Sequence, residues 1–126
     1  MDLSIEAIKG SGVLDTERIV LNVSADTDTQ YFILVLGKKV SDQTFSPESD
    51  KVFWIPGKKV KNGDLVVIYT KAGTNSEHTN QDQSKSHFFY RGESEPLFGN
   101  PNRGAVLLQN SEWRIFFPEP ATAPAQ

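Results

Sequence analysis

The sequence predicts an all-β fold, an antiparallel sandwich or barrel, on three observations. Short apolar runs with period 2 recur along the chain, rich in β-branched and aromatic residues and separated by polar turn signals. No window of ten or more residues places apolar side chains at i, i+3, i+4 and i+7 without a Gly or Pro interruption, which argues against a helical domain. Strands with no helices between them do not readily make parallel crossovers, so antiparallel pairing is expected.

Eight runs qualify as strands. Leu3, Ile5 and Ala7 alternate with Ser4 and Glu6, giving one dry face and one wet one. Ile19, Leu21 and Val23 alternate in the same way with Val20, Asn22 and Ser24. Residues 31–36 are apolar on both faces, as a central strand would be. Residues 52–55 form a run stopped by Pro56-Gly57, and residues 65–69 one entered through the turn signal Asn62-Gly63-Asp64. Residues 88–90, 105–108 and 113–117 complete the set. Two polar segments, 41–50 and 74–86, break the rhythm; the second is long for a connection in a compact domain. Residues 118–126 hold three prolines and no large apolar side chain, so the expected division is one β-domain over 1–117 and an extended tail over 118–126.

Composition narrows the chemistry. The length of 126 residues suits one domain. With no cysteine, the chain has no disulfide, no thiolate nucleophile, no iron–sulfur ligation and no Cys-based zinc site. His78 and His87 are the only imidazoles, and no His-x-His or His-x3-His spacing, Gly-x-Ser-x-Gly elbow or phosphate-loop pattern is present. The expectation is therefore no catalytic set, no metal and no cofactor, with a small hydrolase using His78 as the outlying enzyme reading. Asp26 and Asp28 are two loop carboxylates that calcium could use, but two are too few alone and a hairpin turn, where Asp side chains bond their own backbone, is the preferred reading. The first residues show no charged stretch followed by an apolar one, and no run approaches the ~20 residues of a membrane span. A soluble, intracellular and cytoplasmic protein is expected.

Two surfaces stand out. The net charge of -3 hides a basic middle, since residues 38–71 hold seven bases against four acids. Lys38 and Lys39, with Lys58, Lys59 and Lys61, would meet a phosphate backbone or an acidic partner if their turns share one pole; otherwise they are solubilising lysines at strand ends. The aromatics fall in adjacent pairs, and neighbours in a strand face opposite sides. Half of each pair must then be covered by the loops or the tail, or offered to a partner. Trp54, Phe53, Trp113 and Phe89 are the candidate anchors.

The stretch 52–73, with Phe53, Ile55, Pro56, Gly57, Val60, Gly63 and the run 65–69, resembles the lamin tail domain. Residues 88–92, 97–100 and 105–108 are similar to that family's closing half, whereas its Gly-Trp step is not evident near Gly37. The resemblance implies an immunoglobulin-like β-sandwich of about eight strands, used as a binding or scaffolding module, and it brings no catalytic residues. The expected function is a non-enzymatic protein-interaction module working through an edge strand or exposed aromatics, self-association included. The alternative is a nucleic-acid-associated accessory protein using the turn at Lys58 to Lys61.

Overall fold

Alternating apolar residues build ten strands in a computed structural model that describes residues 1–120. They are β1 (Leu3–Lys9), β2 (Arg18–Val23), β3 (Thr27–Asp28), β4 (Phe32–Ser41), β5 (Thr44–Trp54), β6 (Lys59–Val60), β7 (Leu65–Tyr69), β8 (Ser76–Thr79), β9 (Lys85–Tyr90) and β10 (Arg103–Gln109). The only helical element among the described residues is a 3₁₀ turn, Thr29–Tyr31. The fold is all-β, and among the described residues no helix is long and apolar enough to cross a membrane.

Three sheets form: a five-stranded one in the order β1-β2-β7-β9-β8, a three-stranded one in the order β10-β4-β5, and the short pair β3-β6. One apolar core is shared by the two larger sheets. Leu3, Ile19, Leu21, Val23, Val66, Ile68 and Phe89 enter it from the wider sheet and Phe32, Leu34 and Leu36 from the narrower one. Leu97 and Phe98, from the connection between β9 and β10, fill one end of it.

Purely antiparallel pairing does not hold. β7 and β9 run parallel, from Leu65 opposite Ser86 to Tyr69 opposite Tyr90. The crossover between them is long enough without a helix, because the chain travels out to the sheet edge, forms β8 there, and turns back to insert β9 beside β7. The polar segment 74–86 therefore contains a strand, with β8 paired to β9 from Ser76–Phe88 to Thr79–Lys85.

Segment 41–50 is likewise not a loop. β4 and β5 continue through it as a hairpin closed by Asp42 and Gln43, with the Ser41 hydroxyl donating to Thr44 Oγ1 at 2.8 Å. Its arms project past the core, so nothing demands apolar alternation there. Gly37 lies against the Phe45 ring and the Ser46 carbonyl, leaving no room for a Cβ, and the β4–β5 register shifts at this point. At the entry to β7, Gly63 adopts φ +93°, the left-handed conformation that the Asn62-Gly63 turn requires.

The expected last strand, 113–117, does not form. Regular structure ends at Gln109, and residues 111–120 are exposed and irregular. Both ladder positions beside β4 are taken by β5 and β10, so an aromatic run with high β-propensity has no place next to the central strand. Of the expected tail, residues 121–126 lie outside the described residues.

Candidate functional site

The register of the narrow sheet decides which side chains share a face. Leu108, Ile33 and Trp54 stand in one row across β10, β4 and β5, and Val106, Val35 and Val52 in the next row on the same side. The rows between them, Leu107 with Leu34 and Phe53, turn into the core. The outer face is thus apolar at all six positions. Leu108, Val52 and Trp54 remain 47, 47 and 46% exposed, and Ile33, Val35 and Val106 are half-buried.

Trp54 is held rigidly. Its indole N–H donates to the Gln30 carbonyl at 2.6 Å, and the Trp113 ring meets it edge-on at 5.2 Å. Tyr31 lies 6.0 Å from Trp113, so three aromatics close one end of the face. A rigid aromatic with its one polar atom already satisfied suits partner contact, because little conformational freedom is lost on binding. Ile115, Phe116 and Phe117 extend the exposed apolar surface along the irregular segment.

Two of the expected anchors do not belong to this surface. Phe89 is 5% exposed because strand alternation turns it into the core beside Ile68. Phe53 also faces inward, with the Arg91 guanidinium 5.2 Å above its ring. Burial pushes Arg91 below the usual arginine pKa, against the opposing charge of Glu93. Sequence reasoning reached Trp54 and Trp113 but missed Val52, Val106 and Leu108. The available signal was that residues 31–36 are apolar on both faces, which requires apolar neighbours on the outer side as well as the inner one.

The five lysines do not converge. Lys58 accepts the Thr29 N–H at its carbonyl, at the start of β4, whereas Lys38 sits six residues beyond Phe32, roughly 20 Å along an extended strand. Lys39 pairs with Asp42 on the projecting hairpin. What gathers instead is Lys58, Lys59, Lys61 and Lys85 around a cleft of about 210 Å³ also lined by Asp64, Glu77 and His87. Lys58 and Lys85 both bind the Glu77 carboxylate, at 2.8 and 2.9 Å, and their hydrogen bonds and charges bring its pKa down to about 2. Two of the four ammonium groups are therefore engaged, and the one Glu77 carboxylate cancels one of the four positive charges.

Asp64 and His87 form the buried floor. Asp64 accepts the backbone N–H groups of Lys61 and Lys85, each at 3.0 Å, and its Oδ2 lies 2.8 Å from His87 Nε2. Burial pushes the Asp64 carboxyl up, but the His87 hydrogen bond, the two amides and the His87 charge outweigh it and hold the carboxyl below its usual range. His87 is 2% exposed, and its Nδ1 has no hydrogen-bond partner among the described residues. His78 stands exposed on β8, opposite Ser86 of β9. Asp26 and Asp28 spend oxygens on backbone N–H groups, Asp26 on Asn62 at 2.9 Å and Asp28 on Gln30 and Lys58 at 3.0 and 3.2 Å. That is turn chemistry.

Glu17 is the second buried carboxylate, with no exposed surface. It accepts from the Thr70 hydroxyl at 2.6 Å and from the N–H groups of Leu97, Gly12 and Phe98 at 2.7, 2.8 and 3.0 Å. Burial raises its pKa, and these four donors together outweigh that and hold it below the usual glutamate range. Its role is to pin three connections to the end of the wider sheet. Comparison with known proteins finds no matching family model, curated protein or solved structure.

Proposed function

We propose that the chain is a non-enzymatic protein-interaction module that binds a partner through the outer face of β10-β4-β5. The observation that carries this reading is the unbroken pair of apolar rows, Leu108–Ile33–Trp54 and Val106–Val35–Val52, closed at one end by Trp113. Exposed contiguous apolar surface of this kind is uncommon on monomeric proteins and marks interfaces. The four aromatics Trp54, Trp113, Phe116 and Phe117 alone expose about 500 Å², at roughly 200 Å² for each fully exposed side chain. Within this proposal the fold is an immunoglobulin-like β-sandwich similar to the lamin tail domain, supported by two sheets on one core and by the turns at Pro56-Gly57 and Asn62-Gly63. An intracellular, cytoplasmic setting belongs to the same proposal.

The test is affinity capture from the source lysate with the intact chain and its variants. Trp54→Ala and Val52→Glu are expected to lose the captured protein while keeping the parent melting temperature within a few degrees. Retention of the same partner by both variants overturns the reading. A second reading, a nucleic-acid-associated accessory protein, draws on the cleft ringed by Lys58, Lys59, Lys61 and Lys85. It requires salt-sensitive binding of a mixed-sequence oligonucleotide that Lys58→Glu with Lys59→Glu removes, and no binding at low salt ends it.

A further inference from the structure

An edge strand presents a row of unpaired N–H and C=O groups to any extended backbone that reaches it. Three of the four edges of the two larger sheets carry devices against this. β1 has a register shift between Ile5 and Ala7 and the charges Glu6 and Lys9. β8 is four residues long and includes Glu77 and His78. β5 contains Pro47, Glu48, Asp50 and Lys51, with a register shift opposite Val35 and Gly37.

β10 has none of these. Its seven residues run in continuous register along β4, with no proline and no bulge. Its one charge, Arg103, is already committed to Glu48 through two hydrogen bonds of 3.0 and 2.8 Å. On its free edge the Arg103 N–H bonds the Asn100 carbonyl of the turn before it, and among the described residues no other backbone hydrogen bond ties that edge to another segment.

We propose that β10 pairs antiparallel with β10 of a second copy, about a two-fold axis at Val106, joining two three-stranded sheets into one of six strands. This rests on the protein-interaction reading and names one partner for it. The register favours a second copy because the strand is complementary to itself. Pairing about Val106 sets Leu108 opposite Gly104, Leu107 opposite Ala105 and Arg103 opposite Gln109, so large residues meet small ones and no like charges face each other. The outer rows of the two copies then lie side by side, and Val106 moves from the rim of an apolar face to its centre.

Sedimentation equilibrium over a concentration series is expected to give a reversible dimer. Val106→Lys and Val106→Glu each set like charges against themselves at the axis and are expected to weaken it at least tenfold; their equimolar mixture is expected to recover a heterodimer. Because the chain has no cysteine, Val106→Cys carries the only thiol. Directly opposed Cβ atoms lie about 4.5–5.5 Å apart, close to disulfide reach, so mild oxidation is expected to give a covalent dimer. Val52→Cys, on the far strand, is expected to stay monomeric. This cross-link remains informative even where a charged variant fails to fold. A wild type that stays monomeric up to about 1 mM, or Val52→Cys cross-linking as fast as Val106→Cys, overturns the pairing. Either failure leaves partner capture by the Trp54 face intact, whereas a confirmed dimer that captures no Trp54-dependent partner overturns the broader reading and not this one.

Discussion

The outer faces of the two larger sheets solve the same problem differently. On the wider sheet Val20 and Val67 stand side by side on the outside, yet both are only 7% exposed. Five strands give each valine flanking neighbours, and next to them Phe88 tilts against Tyr69 at 6.3 Å while Tyr69 stacks on Tyr90 at 5.3 Å. Lys71 lies over the Tyr69 ring at 5.2 Å and caps that neighbouring aromatic row. The narrow sheet has three strands and two apolar rows, and among the described residues no element covers Val52, Leu108 or the rim of Trp54. Similar apolar content is buried on one sheet and exposed on the other. Sheet width and flanking aromatics make the difference.

The comparison is broken most forcefully by placing a charge on each face. Val67→Asp buries an unpaired carboxylate and is expected to cost about 4 kcal/mol of stability, whereas Val52→Asp is expected to stay within about 0.5 kcal/mol; denaturant melts of the two variants measure both. If Val52→Asp unfolds the chain as badly, the narrow face is covered after all. Glu17, which ties connections to the end of the wider sheet, comes next. Glu17→Ala orphans three buried N–H groups and a hydroxyl and is expected to cost about 3 kcal/mol, read by the same melts.

The sign of the pH dependence follows from the depressed carboxyls. Glu17 and Asp64 have folded-state pKa values below their ordinary 4.5 and 3.8. Their contribution is complete above those ordinary values and is lost as pH falls from about 4.5 through the lower folded-state values. Thermal melts between pH 6 and pH 2 are expected to decline in that window, and Glu17→Gln is expected to flatten the decline. A small effect again belongs to the narrow face: Trp54→Phe removes the hydrogen bond to Gln30 and trims the ring that meets Trp113, and is expected to cost about 1 kcal/mol, checked by the shift in melting temperature.

Local pattern was sufficient where a strand feels the core on one side. β2, β7 and the first half of β4 alternate or run apolar as their burial demands, and the Asn62-Gly63 turn announces itself. It was insufficient where a strand meets water on both faces. β8 reads Ser-Glu-His-Thr and the β4–β5 hairpin tip reads as a polar loop, because only ladder hydrogen bonds, invisible in composition, hold them extended. The parallel β7–β9 pair was hidden for a related reason: strand order is set by where a crossover lands, and nothing in the residues of either strand records it. At the candidate site Trp54 and Trp113 were legible as large aromatics. Phe53 and Phe89 were equally aromatic but of the opposite facing, and only register separates the two pairs. Lys85 joins Lys58 through a hairpin that the sequence does not advertise.

The clamp at Glu17 also bears on how the chain comes to be folded. Two of its four partners, the N–H groups of Leu97 and Phe98, lie 80 and 81 residues later in the chain. During synthesis the carboxylate must wait for them, and until they arrive it belongs in water and not in the site it finally fills. The wider sheet therefore cannot close that end before Leu97 and Phe98 have been made. Contacts between the first twenty residues and the last thirty of the described chain make this a non-local β topology, a class that folds in about milliseconds to seconds.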